Sequence, residues 1–176
     1  SMNISAQKNN ITAVVSFEGS LEKLNSCLQA LNTWVPQIIV VLPENNHIEK
    51  QITNQFNVSV CFQKASSTKS NWESGLNQTN TPWALLIRSN EIVTGQLRQA
   101  ITEKIKTSGG EAYKYLLPLT MVFLKKRFKY PIDWNGSQPS LLVRTSKTIT
   151  DVNQQRKYET LGGELVRYCE DTISEC

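Results

Sequence analysis

The residues Trp83-Ala84-Leu85-Leu86-Ile87 form an unbroken apolar run, closed by Pro82 on one side and by Arg88-Ser89-Asn90-Glu91 on the other. Such a run is too short for a typical helix. Its continuous, non-alternating pattern belongs to a strand buried on both faces, as in the middle of a mainly parallel sheet. Ligands of open α/β sheets bind beyond the carboxyl ends of the strands. Arg88 to Glu91 is therefore where chemistry is expected.

The segments before it fit the same sheet. Ile11 to Phe17 is rich in β-branched residues and reads as the first strand. Ser20 caps a helix whose Leu21, Leu24, Leu28 and Leu31 share one face, and Asn32 and Pro36 end it. Ile38 to Leu42 is the second strand. Asn46 with Glu49 resembles a capping box before a helix buried through Ile48, Ile52 and Phe56. Val58 to Phe62 reads as the third strand. Ser70-x-x-Glu73 reads as another capping box, opening a short helix through Trp72 and Leu76. After the Trp83 strand, Thr94 caps a helix with Leu97, Ala100, Ile101 and Ile105 on one stripe, stopped at Ser108-Gly109-Gly110. This alternation calls for parallel strands joined by right-handed crossovers.

Beyond Gly110 the texture changes. Residues 113–119, 120–130 and 141–144 are extended, interrupted by Pro118, Pro131 and Pro139, and read as a mixed or antiparallel extension of the sheet. Gly162-Gly163 precedes a last expected helix, in which Leu165, Cys169 and Ile173 recur every four residues. With 176 residues, 39% of them hydrophobic, the chain is long enough for one domain with its own core, taken as 3–176. Ser1-Met2 reads as an expression scar and is set aside.

The formal charge of +4 is too small to demand nucleic acid, though it suits an anionic ligand or surface. No run approaches the roughly 18 apolar residues of a membrane span, and no signal peptide is visible. Cys27, Cys61, Cys169 and Cys176 include no close CxxC pair, and Cys27 and Cys61 fall on expected core faces, which argues against zinc; a reducing cytoplasm is the simple reading. The sequon Asn57-Val58-Ser59 is read as a chance match opening a buried strand. His47 is the only histidine.

The order of segments resembles the family 2 glycosyltransferases of the GT-A (nucleotide-diphospho-sugar transferase) fold, notably small lipopolysaccharide-core enzymes. The resemblance covers about residues 11–147. It rests on Thr12-Ala-Val-Val-Ser-Phe, Leu28, Gln37-Ile-Ile-Val-Val-Leu, Gln78-Thr-Asn-Thr-Pro-Trp-Ala-Leu-Leu-Ile and Leu142-Val-Arg-Thr-Ser-Lys. It implies a GT-A-like, Rossmann-like α/β fold: a mainly parallel sheet with helices on both faces and a mixed or antiparallel C-terminal extension. By the same resemblance, 11–107 is the nucleotide-sugar-binding half and 111–147 the acceptor half, with 151–176 a C-terminal tail or helix. The implied reaction moves a hexose from a nucleotide sugar to a lipopolysaccharide or glycolipid acceptor in the cytoplasm, with peripheral contact at the inner membrane.

The chemistry residues depart from that pattern. Where the family places Asp-Ala-Asp-Glu to hold Mg²⁺ or Mn²⁺ on the diphosphate, this chain has Arg88-Ser89-Asn90-Glu91. Leu42-Pro43 replaces the acid expected after the second strand, and Gly19-Ser20 the usual Asn-Glu after the first, with Glu18 adjacent. A guanidinium beside the remaining oxygens repels a divalent ion, so no metal and no cofactor is expected. The rival function is a non-catalytic domain that binds a glycan, a nucleotide or another protein.

Each candidate carries two readings. Arg88 can bind a diphosphate through its planar fork, or close the strand end in a salt bridge with Glu91 or Asp133. Ser89, Asn90 and Glu91 supply oxygens at the same point, while Glu91 is equally a first-turn acid of a helix. Glu18 can touch a base or ribose, or stand solvated in a loop. Asp133 is the leading candidate for the general base, with Glu159 the weaker one, and turn chemistry accounts for Asp133 as well. Trp134 can stack on a sugar; the other tryptophans read as core. Lys125, Lys126, Arg127 and Lys129, interleaved with aromatics, suit anionic lipid or lipopolysaccharide phosphates, or else protect an edge strand. Nucleic acid is the less favoured partner.

Overall fold

The computed structural model describes residues 10–64, 67–108, 114–129, 138–146 and 158–169. Asp133, Trp134, Cys176 and the Gly109-Gly110 stop lie outside these residues. The first half alternates β1 (Ile11–Ser16), α1 (Leu21–Asn32), β2 (Gln37–Pro43), α2 (Glu49–Gln55), β3 (Ser59–Gln63), α3 (Thr68–Leu76) and β4 (Trp83–Arg88). The chain continues through β5 (Glu91–Val93), α4 (Gly95–Thr107), β6 (Lys114–Leu116), β7 (Leu119–Phe123), β8 (Lys126–Lys129), β9 (Leu141–Arg144), β10 (Glu159–Thr160) and β11 (Leu165–Tyr168).

The Trp83 strand is buried along its whole length and is the middle strand of a seven-stranded sheet, ordered β10-β6-β9-β4-β1-β2-β3 among the described residues. Its side chains alternate between two cores. Trp83, Leu85 and Ile87 join Ala13, Val15 and Val40 under α1, α2 and α4. Ala84 and Leu86 join Val14, Ile39 and Val41 under Trp72 of α3. A strand packed on both faces has no polar side, which is why its sequence is a continuous apolar run.

The sheet is mixed rather than mainly parallel. Strands β3, β2, β1 and β4 are parallel, as their crossover helices require. On the other flank β9 runs antiparallel to both β4 and β6, and β10 pairs parallel with β6. The later half is also more than an extension. Strands β5, β11, β7 and β8 form a separate four-stranded sheet. The helix expected from Leu165 onward is instead β11 over Leu165–Tyr168. Its four-residue spacing was coincidental, and parallel pairing with β7 decides its conformation.

Helix starts follow side-chain oxygens. Ser20 and Thr94 cap α1 and α4 as expected, accepting from the N–H groups of Lys23 and Leu97. Two expected caps are displaced. Ser67, not Ser70, caps α3, with Ser70 completing the reciprocal pair. Ile48 stands at the start of α2, and Asn46 instead accepts from the Ile48 N–H within the preceding turn. Asn57 and Ser59 of the sequon are exposed, contrary to the buried placement expected for them.

Strands β7 and β8 form a hairpin whose turn places Leu124 and Lys125 at φ 51° and 63°. The left-handed region costs a non-glycine residue roughly 1–2 kcal/mol, and turns of this kind normally use Asn or Gly. Among the described residues, no helix is long and apolar enough to cross a membrane. Cys27 and Cys61 are free and buried, whereas Cys169 is disulfide-bonded, which the reducing-cytoplasm reading does not predict.

Candidate functional site

At the carboxyl end of β4 the chain turns through Ser89-Asn90 into β5, which carries Glu91 fully inside the protein. Its Oε1 accepts from the Arg88 N–H at 2.7 Å and from Ser140 Oγ at 2.7 Å. Its Oε2 accepts from Arg167 Nε at 2.9 Å and lies 4.0 Å from the nearer terminal nitrogen of Arg88. Burial pushes the Glu91 carboxyl upward, but attraction to Arg167 and Arg88, with the two hydrogen bonds, outweighs it and holds the pKa below its ordinary value.

Arg88 is only 3% exposed. Its guanidinium donates to Ser140 Oγ at 3.1 Å and to the Gln138 carbonyl, and stacks 5.1 Å from the centre of the Trp72 ring. Trp72 is itself fixed by donating its indole N–H to the Ile87 carbonyl at 2.9 Å. Burial lowers the Arg88 pKa, and Glu91 opposes that shift. Arg88 Nε also lies 3.6 Å from Glu18 Oε2. The salt-bridge reading of Arg88 with Glu91 is thus what the geometry shows, extended to Glu18 and completed by Arg167 from β11.

Glu18 ties the loop after β1 to two neighbours. Its backbone N–H donates to Ser89 Oγ at 2.6 Å, and its Oε1 accepts from Thr68 Oγ1 at the start of α3. Asn71 on α3 donates to Ser16 Oγ at 2.9 Å, yet its own Oδ1 is buried without a hydrogen-bond partner. Asn90 donates to the Tyr168 carbonyl at 3.3 Å, and its Oδ1 is likewise unpartnered. Buried acceptors left without a partner are uncommon. Beneath the strand end, the Cys27 thiol points at the Arg88 carbonyl. Burial, then the Glu91 charge, pushes its pKa far up, which disfavours the thiolate.

The structure therefore brings Glu18, Arg88, Ser89, Asn90 and Glu91 to one end of the sheet. Glu159 stands apart, on edge strand β10, where it is exposed and paired with Lys104 at 2.8 Å. Asp133 lies outside the described residues. Sequence reasoning missed Arg167 and Asn71. Arg167 was masked by the helical reading of its segment, although Leu165-Val166-Arg167-Tyr168 has the β-branched and aromatic content of a strand. Nothing in the sequence marked Asn71.

A divalent cation does not fit this donor set. A hard cation needs several anionic oxygens, and both oxygens of Glu91 are occupied by donors with two guanidiniums alongside. Among the described residues no three His, Cys, Asp or Glu side chains are grouped to hold a metal.

No family model matches the sequence, and no curated protein matches it. Solved structures do. Staphylococcus aureus TarS 1–349 in complex with UDP-GlcNAc superposes with a TM-score of 0.66 at 12% identity, covering 94% of this chain and 60% of that one. A second structure of TarS 1–349 gives 0.58 at 13% identity, over 82% of this chain and 49% of that one. The chain thus spans less than two thirds of these neighbours. At such identities the likeness concerns the fold alone.

Proposed function

We propose that this chain is a nucleotide-sugar-binding domain of glycosyltransferase type, working without a divalent cation. The observation that carries the metal-free reading is the enclosure of Glu91, the one acid retained from the expected Asp-Ala-Asp-Glu, between Arg88, Arg167 and Ser140. Its carboxylate organises the strand end instead of ligating an ion. The nucleotide sugar then lies over the ends of β1 and β4, where the partly exposed Glu18 carboxylate can accept from ribose hydroxyls or a base N–H. The fold likeness to TarS, which was solved with UDP-GlcNAc, supports this class of ligand.

Family 2 membership, hexosyl transfer and a lipopolysaccharide or glycolipid acceptor rest on the sequence resemblance, with Asp133 as the proposed base. One observation favours the rival, non-catalytic reading. Both carboxylates at the end of β4 are already engaged, Glu18 by Thr68 and Arg88, and Glu91 by its cluster. Calorimetric titration with UDP-GlcNAc, followed by a turnover assay of the parent and Asp133→Asn, separates the two. Saturable heat with turnover that Asp133→Asn abolishes supports the enzyme. Heat without turnover supports the binding domain, and no heat at millimolar ligand removes both nucleotide readings.

A further inference from the structure

The β7–β8 hairpin has two features that edge protection alone does not explain. Residues 124–129 are all exposed, and Lys125, Lys126, Arg127 and Lys129 bring four cations to one short ribbon. Lysines on an edge strand deter unwanted pairing, and β8 is an edge of its sheet. That reason does not extend to the turn. There Leu124, 72% exposed, occupies a left-handed backbone position where Asn or Gly is less strained and more soluble. Phe128, facing the same side as Lys126, adds a partly exposed ring. Arg127 is drawn back toward β11 by Glu164 at 2.9 Å. Lys129 shares the Arg127 face, beside Thr120 and Glu164, so the charge at the tip comes from Lys125 and Lys126.

We propose that this hairpin docks the protein on an anionic lipid surface, with Leu124 entering the headgroup boundary and Lys125 and Lys126 at the tip resting on lipid phosphates. A bilayer is the partner that rewards both properties at once: the negative surface attracts the lysines, and the acyl boundary takes the apolar tip. Nucleic acid would use the lysines but leaves a strained, exposed leucine unaccounted for. The inference is independent of whether a nucleotide sugar binds.

The test is co-sedimentation of the full chain with phosphatidylcholine vesicles containing phosphatidylglycerol, against pure phosphatidylcholine and a duplex oligonucleotide at equal salt. Binding is expected on the anionic vesicles only, weakening as salt rises. Replacing Lys125 and Lys126 by Gln should weaken it by roughly 30-fold. Leu124→Asn should weaken it by roughly tenfold while leaving the melting temperature unchanged or raised, because Asn tolerates this turn. Those opposite signs separate docking from damage to the fold. Failure of the parent to bind, indifference to Leu124→Asn, or equal affinity for the oligonucleotide would each overturn the proposal.

Discussion

Glu91 is a buried carboxylate facing two guanidiniums, and taking its charge away removes the counter-ion that Arg88 and Arg167 share, leaving Arg88 the longer contact to Glu18. Breaking a buried pair from one side costs about 3–5 kcal/mol, so Glu91→Gln should lose that much stability in urea unfolding. A loss below about 1 kcal/mol would show that the cluster is not holding the strand end. The pH dependence follows with a definite sign. The folded pKa of Glu91 lies below its ordinary 4.5, so its contribution is present above that value and lost as pH falls through the folded pKa. The parent should therefore weaken more steeply than Glu91→Gln on acidification below 4.5, and parallel curves would contradict the assignment. At this scale the site was half legible. Arg88 and Glu91 are three residues apart and suggested their own pairing, but Arg167 is 76 positions from Glu91 and reaches it only because β11 pairs with β5.

Among the elements, β4 and α3 bear most directly on the site. Leu86 is 1% exposed in the core beneath α3, so Leu86→Ala should cost roughly 2–5 kcal/mol, measured by chemical denaturation. Helix α3 meets β1 at Gly75, where an added Cβ would fall well inside contact distance of Val14 Cγ1. Gly75→Ala should therefore destabilise by about 1–3 kcal/mol despite the better helix propensity of alanine. Val14→Ala in the same chain should recover part of that loss; purely additive effects would sink the close-packing explanation. The long periodic segments were legible because burial on fixed faces imposes a repeat on the sequence. Strands β5 and β11 were not, since three or four residues cannot display a period and their partners are distant in the chain. The displaced cap of α3 has a local cause: Ser67 and Ser70 both offer a hydroxyl three residues ahead of a plausible partner, and the backbone chose the first.

For the whole molecule, a mixed seven-stranded sheet with helices on both faces and a smaller second sheet gives the fold that resembles TarS. The parallel half was readable from alternation of strand and helix. The division of the later half into two sheets was not, because non-local pairing decides it. The carboxyl end of β4 is held by an internal ion cluster of Glu18, Arg88, Glu91 and Arg167. That the proposed nucleotide-sugar site works without a divalent cation is the proposal with the widest consequence. Calorimetric titration of the full chain with UDP-GlcNAc, in EDTA and again in Mn²⁺, tests it most directly. The account predicts saturable binding of equal affinity in both conditions; binding that vanishes in EDTA and returns with Mn²⁺ would contradict it.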